Sequence, residues 1–345
     1  MNNKPVRLLY LGNILSHQGY TKGVIETLGL QLQQEGFQVA YAGKSRFQIF
    51  RLLEMLISIV KHWRSIDYVL IDSYSTKAFW YLVVNGYFCH LLGLRFIPIL
   101  HGGNFEKRLS NMPRISRWIF GMSFTNVAVS EFLENVFRSH GIEVRVIHNN
   151  LPIKQYKYRS KSSIGPNILW VRSFHDQYNP NMAAKVLEII KEHYSEANLC
   201  MVGPDKDGSM SSFENYIQNN GLANRVKITG LLSKKQWHSL ADGFDFFINT
   251  TNVDNTPVSV MEAMALGLVV VSTNVGGMPF LIRHNVDGLL VGINDHAGMA
   301  DAILEILREE QLGQNMALSA RNKVESWDWS IVRTKWLNLL VNYEK

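Results

Sequence analysis

The chain has 345 residues, of which 46% are apolar and 19% charged, with two cysteines and a formal net charge of +6. That mix excludes disordered, collagen-like and coiled-coil chains, and the length suits about two domains, each able to bury its own core. Cys89 and Cys200 lie far apart, so neither a disulfide scaffold nor a cysteine-built zinc site is expected. The charge is uneven. Residues 1–160 hold 19 Lys and Arg against 9 Asp and Glu, a net of +10, and residues 161–345 hold 16 against 20, a net of −4. A basic half suits an anionic partner (nucleic acid, an anionic membrane surface or a phosphorylated substrate) or is simply a solvated basic face.

Residues 1–12 carry Lys4 and Arg7 before a short apolar run, which reads as a first buried strand rather than a signal peptide. Apolar runs then alternate with helical patterns, the mark of a parallel α/β sheet. Strands are expected in the first half at 7–11, 38–42, 68–72, 96–100, 126–129 and 144–147. Residues 46–64 read as an apolar helix with basic flanks, either core-packing or resting on an anionic membrane. The uncharged run 78–94 contains Asn85, Gly86 and His90 and reads as a buried helix rather than a membrane span. The polar, basic stretch 152–166 reads as a linker. Strands resume at 167–171, 198–202, 226–229, 246–250, 268–272 and 289–291, which predicts two doubly wound domains in tandem with a cleft between them. No Gly-x-Gly-x-x-Gly, Walker A, Gly-x-Ser-x-Gly or His-Glu-x-x-His motif is present.

The most informative stretch is 249–279. An apolar strand gives way to a polar loop, with Thr256 read as a helix N-cap and Pro257 as the first helical residue. The helix turns Val260, Met261, Met264 and Ala265 inward, and Gly267 stops it. An apolar strand follows and ends in Gly276-Gly277. This places a helix N-terminus at the carboxyl ends of two parallel strands, where a diphosphate binds. Glu262, one and a half turns into the helix, is placed to hold a ligand's hydroxyls; otherwise it is a solvated or capped helix residue.

This stretch resembles the donor-binding signature of the retaining glycosyltransferases of family 4 (group 1), which have the GT-B fold. Their pattern is Glu, seven residues, Glu, then Ala-Met-Ala-x-Gly-x-Pro-Val-Val and a later Gly-Gly. Glu262 fills the second Glu, and Glu262-Ala-Met-Ala-Leu-Gly267 follows the pattern. Asp254 replaces the first Glu at the correct spacing, one methylene shorter. Further segments match in order over nearly the whole chain. They are Val129-Ser130 with Gly141 and 146–150 (Asn150 where Gly is usual), Thr229-Gly230, Leu240-Ala-Asp242 with 246–250, and Trp327-Asp-Trp329 before a final helix. The fold implied is α/β, with two Rossmann-like doubly wound parallel-sheet domains. An acceptor-side domain would span 1–158, a donor domain 164–327, and the helix 328–345 would pack back on the first.

Residue by residue, the resemblance assigns Arg172 to the diphosphate, where a planar guanidinium suits two phosphates; a salt bridge to a nearby carboxylate is the other reading. Gln177 stands where the family has Lys, so a cation is lost. The backbone of Pro257, Val258 and Ser259 would cradle phosphate or donor sugar, with Thr256 and Gly230 beside it. Glu262 would hold the ribose and Asp254 would face the donor sugar, while Gly276 and Gly277 leave room for close approach. Phe280 stands where Glu is frequent, and no role transfers to it. In the first half, His101, at a strand end before Gly102-Gly103, matches a His near the reacting sugar. Gly19 and Gly23 match the glycine-rich loop on the acceptor side, with His17 and Lys22 as further candidates.

The reaction implied is transfer from a UDP- or GDP-sugar to a saccharide or lipid-linked acceptor, with retention, in cell-surface polysaccharide or glycolipid synthesis. His101, Asp254 and Arg172 would be the catalytic residues, with no metal or other cofactor because no Asp-x-Asp stands at a strand end. A nucleotide-sugar epimerase and a catalytically weak nucleotide-sugar-binding subunit are the alternatives. The expected setting is cytoplasmic, in peripheral contact with an anionic membrane through the basic half. Nucleic acid is not expected, since the basic residues are dispersed and no binding module is visible.

Overall fold

The computed structural model describes residues 5–18 and 23–341; Gly19 and Lys22 lie outside them. The chain forms two compact units, residues 1–150 with 330–345, and residues 151–329.

Unit 1 carries β1 (Arg7–Leu11), β2 (Gln38–Ala42), β3 (Tyr68–Tyr74), β4 (Phe96–His101), β5 (Val127–Ala128) and β6 (Arg145–Val146). They form a parallel sheet in the order β2-β1-β3-β4-β5-β6. The central strands are buried on both faces, as helices on either side of a parallel sheet require, and so they read as unbroken apolar runs. Both β3 and β4 run past the expected ends, because Ser73 and His101 continue the ladder as buried polar residues. One wing of the core is aromatic: Phe105, Phe120 and Phe137 meet edge to face with centroids 4.9–6.4 Å apart. The uncharged run expected as a buried helix forms the helix Phe79–Leu91. No helix among the described residues is long and apolar enough to cross a membrane. The last helix, Trp329–Leu340, buries Val332, Trp336, Leu339 and Leu340. From Ser330 onward it belongs to unit 1, where Arg333 approaches Glu35 at 3.4 Å.

Unit 2 carries β7 (Asn167–Val171), β8 (Asn198–Val202), β9 (Val226–Gly230), β10 (Phe246–Asn249), β11 (Val269–Thr273) and β12 (Leu289–Val291). The parallel order is β12-β11-β10-β7-β8-β9. Counted within the unit, the sheet runs 6-5-4-1-2-3, the dinucleotide-fold order. Its topological switch point lies between β7 and β10, where the chain leaves in opposite directions and a crevice opens at the strand ends. The stretch 152–166, expected as a linker, packs into this unit instead. Leu151, Tyr156 and Ile164 are buried in its core, so the boundary falls after Asn150 rather than at 158.

Candidate functional site

Arg172 is the first residue after β7, and Asp254 lies in the loop after β10, so the switch point sets them side by side. Their side chains form an ion pair. The guanidinium also lies over the Tyr178 ring, 4.8 Å from its centroid. Of the two readings of Arg172, phosphate ligand and salt-bridge partner, the second arrangement is the one present, and the partner is Asp254. Burial raises the Asp254 carboxyl above its ordinary 3.8, and the Arg172 charge and the Asn255 amide pull it back only in part. Arg172 Nε is shielded from solvent and unpartnered among the described residues. This leaves a donor that a phosphate oxygen would satisfy.

Gln177 is a strut. Its side-chain amide donates to the Val253 carbonyl at 3.0 Å, and its own carbonyl accepts from the Asn252 amide at 2.7 Å. It therefore fixes the loop that carries Asp254. Glycines make this crowding possible. A Cβ on Gly276, whose φ is +50°, would overlap the Asp254 carbonyl oxygen, and one on Gly277 would overlap that of Asn255. The Gly277 amide donates to the Asp254 carbonyl at 3.1 Å. The room that the pair provides is thus taken by the loop backbone itself. Gly203, which the sequence reading missed, plays the same part under Arg172: its Cβ would overlap the Arg172 carbonyl. The Gly203 amide donates to the Gly230 carbonyl at 2.8 Å, which ties the end of β9 to this corner.

The helix Val258–Leu266 begins one residue later than expected. Pro257, with ψ 122°, is extended and occupies the N-cap position, its carbonyl accepting from Val260 and Met261. Thr256 is therefore not the cap, and its hydroxyl lies 3.3 Å from Asn255 Oδ1. With no side-chain cap, the amides of the first turn, at Val258 and Ser259, lack intrahelical acceptors. The Ser259 hydroxyl is also shielded and unpartnered among the described residues. From Val260 to Leu266 every residue is buried, so Glu262 sits in a helix buried all round and is 3% exposed. The solvated reading of Glu262 is thereby overturned. A carboxylate there needs partners. Tyr156 donates to Oε1 at 2.9 Å and Lys234 at 2.7 Å, and His238 Nε2 stands 3.8 Å from Oε2. Burial alone would raise Glu262; the approach of His238 and the Lys234 charge outweigh it and hold the carboxyl below its ordinary 4.5. Burial and the Glu262 charge push the Tyr156 hydroxyl far up, so it stays a donor.

In unit 1, β1, β3 and β4 bring three polar groups together. Asp72 Oδ1 accepts from the Tyr10 hydroxyl at 2.9 Å and lies 3.0 Å from His101 Nε2. The other Asp72 oxygen is buried and has no hydrogen-bond partner among the described residues, and the Tyr74 ring lies 5.3 Å from the His101 ring. Gly23 precedes the helix Val24–Gln34 as its N-cap, its amide bonded to Glu26 Oε2 at 3.0 Å. His17 is exposed in the turn Ser16–Gln18.

The sequence reading missed Asp72, Tyr10, Tyr156, Lys234 and His238. Asp72 left a signal, a carboxylate closing an otherwise apolar strand. The three partners of Glu262 left none. Tyr156 lies 106 positions away, on a segment with no periodicity.

Residues 157–323, just under half of the chain, match the family described as Glycosyl transferases group 1. The match lies within unit 2, where the resemblance placed the donor-binding signature. The amylovoran biosynthesis glycosyltransferase AmsK of Erwinia amylovora is 34% identical over 116 residues, 32% of this chain and 28% of its own length. The chain therefore spans less than a third of that relative. The fold is similar to that of a sucrose-phosphate synthase from Thermosynechococcus elongatus, with a TM-score of 0.77 at 15% identity over 97% of this chain and 98% of that one. It is also similar to Anabaena HepE in complex with UDP and glucose, with a TM-score of 0.73 at 17% identity over 98% and 100%. The architecture, two parallel doubly wound sheets in tandem, is GT-B.

Proposed function

We propose that the protein transfers a glycosyl group from a nucleotide sugar, a UDP-sugar before a GDP-sugar, to a saccharide or lipid-linked acceptor with retention of configuration. The observation that supports this most is the set of unsatisfied donors in unit 2. Arg172 Nε follows β7, and the Ser259 hydroxyl and the first amides belong to the uncapped first turn of the helix after β10, the two strands that flank the switch point. The ionised, buried Glu262 suits a ribose diol. UDP in a structural neighbour of the same fold agrees with the choice of base. In the reaction, charge builds on the leaving diphosphate. Arg172 and the helix amides meet it without a metal, and Asp254 faces the donor sugar. The setting proposed is cell-surface polysaccharide or glycolipid synthesis; AmsK, by its name, is a biosynthetic glycosyltransferase.

A thermal-shift panel of UDP, GDP and their sugars tests the donor assignment. A UDP-sugar should raise the melting temperature with concentration. Glu262→Ala should weaken it about ten- to a hundredfold, the value of a charge-assisted hydrogen bond. The pH dependence follows from the lowered Glu262 carboxyl. Its stabilising contribution is complete above 4.5 and is lost as pH falls through the lower native value, so the shift should persist down to pH 4.5 and fade below it. No shift with any nucleotide sinks the donor assignment. Binding without transfer or hydrolysis would instead favour a binding subunit.

His101 is assigned to orienting the reacting sugar, with Asp72 fixing its ring. Loss of the imidazole in His101→Ala should lower kcat about 10²-fold. Asp72→Asn should lower kcat less and leave the nucleotide thermal shift unchanged. Wild-type kcat in both variants would remove this role.

A further inference from the structure

We propose that the helix Gln48–His62 of unit 1 and its flanks dock on an anionic lipid bilayer. The helix is apolar on two faces: Met55 and Ile59 are buried against the unit, and a second apolar stripe faces outward. Ile49, Phe50, Leu53, Ile57 and Val60 are 47–75% exposed, and the spacing from Phe50 to Val60 puts them on one face. Two of its charged residues, Arg51 and Glu54, are held against the unit instead. Arg51 is 6% exposed and donates to Asn13 Oδ1 and to the carbonyls of Ser45 and Arg46. Glu54, the one acid between Lys44 and Ser65, accepts from the amides of Gly43, Lys44 and Ser45 at 2.8–3.1 Å. The only carboxylate of the segment is thus occupied by backbone.

Charge selects the occupant. Arg46 and Arg64 continue the spacing of the apolar stripe at its two ends, and Lys44 and Lys61 are exposed beside them. The neighbouring helix Phe79–Leu91 exposes Trp80, Tyr87 and Leu91. Tyr87 meets Trp118 at 5.3 Å on the helix Pro113–Gly121, which also exposes Arg114 and Arg117. No acid occurs in the sequence between Asp72 and Glu106. Apolar and aromatic side chains among arginines and lysines fit the boundary between acyl chains and acidic headgroups. A second copy of this face would set the same basic flanks against each other. At about 22 Å the helix is too short to cross a bilayer and lies in its plane. This face lies wholly in unit 1, whereas the donor site proposed above lies in unit 2.

The test is sedimentation of the full chain with vesicles of phosphatidylcholine alone or mixed with phosphatidylglycerol, at low and high salt, with the UDP-sugar thermal shift as a fold control. Wild type should partition onto the mixed vesicles and come off at high salt. Phe50→Ser with Ile57→Ser, both more than half exposed on this face, should lower partition about tenfold or more while keeping the thermal shift. Arg46→Glu with Arg64→Glu should remove the preference for phosphatidylglycerol. Equal partition of wild type onto the two vesicle types, or unchanged partition of the apolar variant, overturns the proposal. So does a dimer in solution that the apolar variant breaks without any vesicle binding.

Discussion

Replacing Arg172 by alanine should lower the rate of transfer about 10²–10³-fold, the range for removing one preorganised charge donor from a site where negative charge develops. The effect is expected in kcat as well as in nucleotide binding, because the charge on the leaving diphosphate grows toward the transition state. Arg172→Lys should recover little, since an ammonium cannot span two phosphates. The Asp254 ion pair adds a contrast. While no donor is bound, Asp254 neutralises the cation that the diphosphate needs. Asp254→Asn removes that competition, so free UDP should bind several-fold more tightly even as transfer falls for want of a carboxylate at the sugar. Initial rates and UDP titrations on the three variants check this. An Arg172→Ala enzyme within threefold of wild type would remove Arg172 from the mechanism.

Gly276→Ala should be as damaging, by geometry rather than charge. At φ +50° an L side chain is strained, and its Cβ would overlap the Asp254 carbonyl oxygen, which belongs to backbone and cannot rotate away. The loop must move, and with it Asp254 and the entry to the helix Val258–Leu266. Transfer and the UDP thermal shift should both be lost, with a fall in stability of about 2–3 kcal/mol. Gly221→Ala is the control. It too has a positive φ, +63°, but open space around the added methyl, so it should cost about 1 kcal/mol of backbone strain and keep the thermal shift. Circular dichroism melts with and without UDP separate the two. If Gly276→Ala binds UDP as wild type does, the loop does not control the site.

Neighbouring residues along the chain carry most of what was readable here. The twelve strands fall where alternating apolar runs put them, because a strand buried on both faces must be apolar throughout. Glu262 and Gly276-Gly277 were legible because the strand–loop–helix–strand that carries them spans a few tens of residues with a distinctive pattern, and Arg172 because it directly follows the first strand of the second half. The helix start was misplaced by one residue at Thr256, since Pro257 suits both the first helical position and an extended one, and only the backbone decides between them.

The sequence alone determined the parallel α/β class, two units of opposite charge, and which loops meet at the strand ends, all consequences of local periodicity and composition. Only the tertiary structure decided what those residues touch. Arg172 meets Asp254 across the switch point, Gln177 braces a loop, and Tyr156 crosses 106 positions to reach Glu262. The outward apolar face of the helix Gln48–His62 belongs to the same class of fact. Its pattern is that of any amphipathic helix, and burial of Arg51 rather than Phe50 is what shows which side meets water. Long-range contacts depend on how sheets stack and loops return, and no spacing along the chain records that.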